Sequence, residues 1–171
     1  MLIYIRMAEK EDLDQIMTII DEAKALLKKD GNPQWQNGSP SREMLTEDIN
    51  LKRAYCLVAN REIAGVAVLL TTPDPNYAEI AGAWANNKEQ YATIHRIAIS
   101  SKFRGLHLSQ FMMSNLISRG LMLGIRNFRI DTHAVNKRMQ GLIKGLGFEY
   151  RGIVQVDQTE NGARNAYELN L

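Results

Sequence analysis

The sequence predicts a mixed α/β fold of the α+β type, and three observations lead to it. Apolar residues recur at helical spacing after Asp12, Leu108 and Asn136, which is typical of amphipathic helices. Short runs rich in β-branched and aromatic residues separate these segments and favour strands. The predicted order is one strand, two helices, a hairpin, then strand, helix, strand, helix and two closing strands. That order implies a mixed sheet with helices on both faces.

The individual elements follow from local patterns. Strands are predicted over 2–5, 54–59, 63–70, 91–99, 128–132, 152–156 and 166–171. Helices are predicted over 12–27, 39–52, 108–124 and 136–146. Ser39 followed by Pro40 indicates the start of the second helix, and Gly147 fits the end of the fourth. The hairpin has a predicted three-residue loop, Asn60-Arg61-Glu62.

Length and composition limit the possible classes of protein. The chain has 171 residues, a length that fits a single domain spanning 1–171. Its formal net charge is only +2, which argues against a dedicated nucleic-acid-binding protein, because such proteins carry a large excess of basic residues. The single cysteine, Cys56, forms no internal disulfide and favours a reducing compartment. Early charged residues and the lack of a long apolar run argue against a signal peptide and a membrane span. We therefore expect a cytoplasmic protein.

The segment Thr93–Met113 carries the strongest chemical signal. An apolar strand leads into a loop containing Arg104 and Gly105, and the loop opens directly into an amphipathic helix. The start of such a helix presents unpaired backbone N–H groups and partial positive charge, which favours phosphate binding. The alternative is an ordinary connection between a strand and a helix.

This segment resembles motif A of the GNAT (Gcn5-related) acetyltransferases, whose pyrophosphate-binding loop has the form Q/R-x-x-G-x-G/A. Further similarities follow in the family's order along nearly the whole chain. They are the opening strand and helix start at 5–13, the hairpin at 60–65, the strand ending in a helix-opening Asn at 130–136, and the Leu-Gly-Phe at 146–148.

The resemblance implies a central mixed, mostly antiparallel sheet of six to seven strands with about four helices. It also implies acetyl-CoA as co-substrate, no metal, and an amine on a small molecule or peptide as acceptor. Homodimers are a habit of the family. The positions that match its CoA-binding residues are Ile97, Ala98, Ile99, Arg104, Gly105, Leu106, His107, Leu108, Ser109, Asn136 and Met139.

Two departures from the family pattern affect the mechanism. His107 and Ser109 replace small residues of the loop, and we expect helical φ angles there, so that the side chains are tolerated and the N–H donors remain. The alternative is that glycine is needed for close approach of the pyrophosphate, in which case CoA binding is weakened. Ile143 stands where many members carry a tyrosine that protonates the leaving thiolate. Because a thiol has a reference pKa near 8.5, water or another side chain could supply that proton.

An amine attacks a thioester only when it is uncharged, so a base with a pKa near neutral is expected beside it. His95 lies on the strand before the loop, and some members of the family carry a catalytic histidine at the matching position. The alternative is a histidine packed in the sheet. His133 and Glu89 are weaker candidates, each with an ordinary surface or loop residue as the alternative.

Residues 71–90 form the longest irregular stretch, and a loop this long is more often functional than idle. Trp84 in this loop and Tyr91 directly after it are candidates to shape the acceptor pocket, with plain packing as the alternative. The leading hypothesis is N-acetyl transfer by direct attack in a ternary complex. A distinct alternative is a non-catalytic acyl-CoA-binding or interaction module that retains the fold.

Overall fold

A computed structural model describes the whole chain, Met1–Leu171, and contains four α-helices and eight β-strands. The helices are α1 (Leu13–Lys29), α2 (Arg42–Asn50), α3 (Leu108–Met122) and α4 (Lys137–Gly145). The strands are β1 (Ile3–Met7), β2 (Ala54–Ala59), β3 (Glu62–Leu70), β4 (Ala81–Gly82), β5 (Tyr91–Ile99), β6 (Asn127–Thr132), β7 (Glu149–Gln155) and β8 (Ala163–Asn170). The mixed α/β class is as predicted. The eighth strand, beyond the six to seven expected, is the two-residue β4.

The chain divides into two compact units, and β5 and α3 each contribute to both. The first unit comprises Met1–Leu69 and His95–Asn115, and the second comprises Leu70–Ile94 and Leu116–Leu171. Strand order in the first unit is β1-β2-β3-β5, with antiparallel pairing of β1 with β2 and of β2 with β3.

The first unit is built on a strand that is buried along its full length. All six residues of β2 are buried, as expected for an apolar run covered on both faces. Helix α1 contributes Ile16, Ile19 and Ile20 to this core, all fully buried. Their spacing is that of one helical face, so this helix was predictable from periodicity.

The second unit has the strand order β5-β6-β8-β7-β4. Strands β5 and β6 pair in parallel over Tyr91–Thr93 and Asn127–Arg129, whereas the other pairs are antiparallel. Its core cluster consists of Tyr77, Trp84, Val154 and Ala166. The predicted irregular stretch therefore supplies two large aromatic residues to the core of this unit.

Two local predictions were wrong in detail. Helix α2 is capped by Ser41, whose hydroxyl accepts from the N–H of Met44 at 3.2 Å, and not by Ser39. The hairpin loop has two residues, Asn60 and Arg61, both with positive φ. A two-residue turn of this kind matches the right-handed twist of the strands, which explains why Glu62 already belongs to β3.

No helix is both long enough and apolar enough to cross a lipid bilayer.

Candidate active site

The loop between β5 and α3 is exposed to solvent, and two of its residues have a left-handed backbone conformation. Arg104, Gly105, Leu106 and His107 are exposed, and Gly105 and His107 have φ angles of +82° and +54°. The helix begins at Leu108, and its first turn closes with a bond from the N–H of Phe111 to the carbonyl of His107 at 3.3 Å. The N–H groups of the first turn therefore have no partner within the helix and remain suited to an anion.

The expectation of a helical φ at His107 was wrong. Its left-handed backbone is a conformation that glycine adopts freely, whereas any other residue there costs about 1–2 kcal/mol. The structure thus gives a physical reason why glycine is usual at this position in the family. Ser109 lies inside α3, so a side chain is tolerated there.

The entry to this loop is held by contacts within the first unit. The N–H of Ser101 donates to Glu22 Oε2 at 2.6 Å, and Lys102 forms an ion pair with Glu62. Phe103 is buried. Because Lys102 is engaged by a carboxylate, the positive potential offered to an anion comes mainly from Arg104 and the start of α3.

The second half of β5 contains a kink. Arg96 has a φ of +53°, which interrupts the regular alternation of side chains along this strand. His95 and Ile97 are half-buried. The kink therefore lies between the candidate base and the segment predicted to bind the pantetheine arm.

Strand β3 approaches this segment closely at Gly65. A methyl group added to Gly65 would lie 2.9 Å from the carbonyl oxygen of Ala98 and 2.7 Å from Ile99 Cδ1. Ser100 also donates its N–H to the carbonyl of Ala64 at 2.8 Å. Close packing against β3 thus fixes the last residues of β5.

In the second unit, His133 is held in a defined orientation. Its Nδ1 accepts from the N–H of Val135 at 3.2 Å, so the neutral ring carries its hydrogen on Nε2. Burial lowers the pKa of His133, and the charge of Arg164 lowers it further. Neither ring nitrogen is then well placed to accept a proton from an amine.

Glu89 and Asn136 are each engaged by neighbours. The Glu89 carboxylate accepts from Asn86 Nδ2 at 2.8 Å and from Asn127 Nδ2 at 3.3 Å. Asn136 is the N-cap of α4, and its side chain accepts from the N–H of Met139 at 3.2 Å. The predicted cap is confirmed, while the CoA contacts of Asn136 and Met139 stay predictions.

Trp84 and Tyr91 enclose a buried arginine that the sequence did not reveal. The Arg129 guanidinium lies 4.1 Å from the centre of the Trp84 ring and 3.9 Å from that of Tyr91. It also donates to the carbonyl of Asn86 at 2.8 Å and pairs with the buried Glu168. Arg129 is only 4% exposed, although its alternation with apolar neighbours on β6 suggests a solvent-facing side chain.

The same network fixes the irregular loop. Glu168 accepts from the N–H of Ala85 at 2.6 Å, and Trp84 Nε1 donates to the carbonyl of Tyr77 at 3.0 Å. Trp84 and Tyr91 therefore anchor the loop. This is the packing role that the sequence analysis gave as the alternative to shaping the acceptor pocket. A buried arginine is tolerated here because its charge is paired and its faces are stacked. No local sequence signal marks such an arginine.

The predicted site residues thus fall into two groups. His95, Ile97–Ile99 and the loop Arg104–Ser109 belong to the first unit, whereas Trp84, Glu89, Tyr91, His133, Asn136 and Met139 belong to the second. No group of three or more His, Cys, Asp or Glu side chains is arranged to hold a metal ion.

Solved structures of acetyltransferases resemble the chain over nearly its full length. A GNAT acetyltransferase from Streptococcus agalactiae is 35% identical, with a TM-score of 0.89 over 99% of this chain and 95% of that one. The NatC complex bound to Gag peptide and CoA is 16% identical, with a TM-score of 0.73 over 100% and 99%. The ribosomal-protein-S18-alanine N-acetyltransferase from Escherichia coli is 17% identical, with a TM-score of 0.66 over 99% and 93%. The last two likenesses concern the fold alone.

A search of curated proteins finds no match. Residues 20–148 match the acetyltransferase (GNAT) family, which is three quarters of the chain and includes α2, β5, the loop before α3, and α4. The chain belongs to the GNAT acetyltransferase family.

Proposed function

We propose that this protein transfers the acetyl group of acetyl-CoA to a primary amine of a small molecule or peptide, by direct attack in a ternary complex. The observation that carries the proposal is the exposed loop Arg104–His107 at the start of α3, with left-handed backbone at Gly105 and His107. In a chain of this family, such a loop suits the diphosphate of CoA because backbone N–H groups and a cation converge there.

Acetyl-CoA would be held by two segments of the first unit. The N–H groups of the loop and the Arg104 side chain would bind the diphosphate. The backbone of Ile97–Ile99 would bind the pantetheine arm, as the family resemblance implies. The CoA contacts of Asn136 and Met139, which lie in the second unit, stay predictions from the family resemblance.

The acceptor amine must lose a proton before it attacks. A lysine-like amine with a pKa near 10.4 costs about 4–5 kcal/mol to deprotonate at pH 7, whereas an α-amine costs about 1–1.4 kcal/mol. We assign the general base to His95. The engaged Nδ1 and lowered pKa of His133 support this choice over His133, and the two amide contacts of Glu89 make it a weaker candidate.

In the proposed reaction the amine nitrogen attacks the thioester carbonyl carbon. A C–N bond forms, the C–S bond breaks, and the amine proton passes to His95. The thiolate of CoA takes a proton from water, because Ile143 is fully buried and apolar. The hydroxide that remains takes the proton held by His95, which returns the base to its neutral form. Tyr77 offers no substitute, since its hydroxyl donates to Asp131 at 2.5 Å and burial raises its pKa well above the usual value.

A peptide amine and a small-molecule amine both fit this proposal. One structural neighbour is a complex bound to a peptide, and another is an N-acetyltransferase of the alanine of a ribosomal protein. We therefore include peptides among the proposed acceptors. The alternative function is a non-catalytic acyl-CoA-binding module. Ile143, where many family members carry a tyrosine, is the observation that favours it.

Release of free CoA separates these two functions. Purified protein with acetyl-CoA should release CoA faster when the matching amine is added from a panel of polyamines, amino acids and peptide N-termini. Mass spectrometry should find the same amine acetylated. Binding of acetyl-CoA without amine-dependent release across the whole panel would instead support the binding module.

A further inference from the structure

One buried carboxylate in the first unit contacts two arginines from different elements. Asp48, in the last turn of α2, is fully buried. Its Oδ1 lies 2.6 Å from Arg53 Nε, and its Oδ2 lies 3.1 Å from Arg96 Nη1. The pair with Arg53 is local, because Arg53 follows α2 directly. The pair with Arg96 instead connects α2 to the middle of β5.

Arg96 is the kinked residue of β5. Its φ of +53° is unfavourable for a residue with a side chain, and such conformations persist only where the surroundings hold them. Arg96 Nη1 and Asp48 Oδ2 are buried and make no aligned hydrogen bond. Their attraction is therefore mainly Coulombic, and removing one partner would leave the other charge buried with less compensation.

The kink lies between two parts of the proposed site. His95, the assigned base, directly precedes Arg96, and Ile97–Ile99, the proposed pantetheine-binding segment, directly follow it. A change in one backbone angle at Arg96 would move both parts at once. Displacements of about 1 Å can reduce a rate roughly a hundredfold.

We propose that Asp48 and Arg96 are positioning residues: their buried ion pair holds the left-handed backbone of Arg96 and so sets the geometry of His95 and Ile97–Ile99. This inference rests on the proposed function. It assigns no contact with substrate to either side chain. Arg53 fixes the Asp48 carboxylate from the other side.

Two substitutions of Arg96 test the idea, because glycine takes a positive φ freely and alanine does not. Arg96→Ala should raise KM for acetyl-CoA and lower kcat together, with a loss of at least about tenfold in kcat/KM. Arg96→Gly should lose less of its kcat/KM, because glycine can adopt the positive φ of the kink even without the ion pair. Arg42→Ala removes an exposed ion pair of α2 with Asp14 and should match the wild type.

The outcomes separate a positioning role from other roles. Equal, large losses of kcat/KM in Arg96→Ala and Arg96→Gly would show that the guanidinium itself is needed. Wild-type values of kcat and KM in both variants would show that the ion pair is dispensable. Either result overturns the inference. A loss in thermal stability alone, with unchanged KM and kcat, would reduce the pair to a structural role and also overturn it.

Hydrogen exchange distinguishes failure of this inference from failure of the proposed function. Amides of 95–99 should exchange faster in Arg96→Ala than in Arg96→Gly and the Arg42→Ala control, with or without acetyl-CoA. If the wild type binds no acetyl-CoA but this order holds, the proposed function fails and the role of the ion pair in the fold stands. If acetyl-CoA binds and the order is absent, only the positioning role fails.

Discussion

At the scale of single residues, the contacts of His133 limit what its ring nitrogens can do. His133 uses Nδ1 as the acceptor for a backbone N–H, and burial together with Arg164 lowers its pKa. Its charged form is therefore disfavoured in the folded protein. His95 lies half-buried on β5 beside the kink. These two observations on His133 support the proposal that assigns the base to His95.

Substitution of His95 by glutamine keeps the size and polarity of the side chain but removes the base. We expect His95→Gln to lower turnover by well over about tenfold, the range typical of a lost general base, with little change in acetyl-CoA affinity. The His133→Gln variant is the control, and its turnover should fall much less than that of His95→Gln. Initial rates and calorimetric titration measure the two quantities. An unchanged rate in His95→Gln would reject its role.

Residue-scale roles differ in how far the sequence predicts them. The Asn136 cap was predictable, because a capping residue and its helix are neighbours in sequence. The burial of Arg129 was not, because it depends on Glu168 and on the stacking of Trp84 and Tyr91, which are distant in sequence. Asp48 and Arg96 are likewise far apart in the chain. Pairing between distant charged residues leaves no periodic pattern.

At the scale of elements, the loop and α3 form the proposed binding site for the diphosphate of acetyl-CoA. The strand, the turn and the apolar helix face predict its existence and approximate bounds, and the helix begins at Leu108 as expected. The backbone of His107 was not predictable, since a positive φ is uncommon for residues other than glycine.

Two substitutions at His107 test whether this backbone matters. Glycine favours the observed φ of +54°, so His107→Gly should change acetyl-CoA affinity by less than about threefold and stability by less than about 1 kcal/mol. Proline fixes φ near −65°, so His107→Pro should weaken binding by more than about tenfold. Calorimetry and thermal unfolding give both quantities. If glycine weakens binding as strongly as proline, the imidazole itself binds the ligand and the backbone account is wrong.

At the scale of the whole molecule, the order of elements identified the fold. Seven of the eight strands and all four helices follow from hydrophobic periodicity and turn residues. The missed strand, β4, has two exposed residues and exists through pairing with β7. A strand that short has no period to detect. The family match and the neighbour from Streptococcus agalactiae agree with the fold that was predicted.

The central claim is that the exposed loop before α3 grips the diphosphate of acetyl-CoA. Calorimetric titration of the purified protein with acetyl-CoA tests it most directly, with S-acetylpantetheine, which lacks the diphosphate and the phosphoadenosine, as the comparison ligand. We predict saturable binding of acetyl-CoA with a Kd between about 1 μM and 1 mM, and binding of S-acetylpantetheine weaker by at least about tenfold. No saturable binding of acetyl-CoA at millimolar concentration, or equal affinity for the two ligands, would contradict the claim.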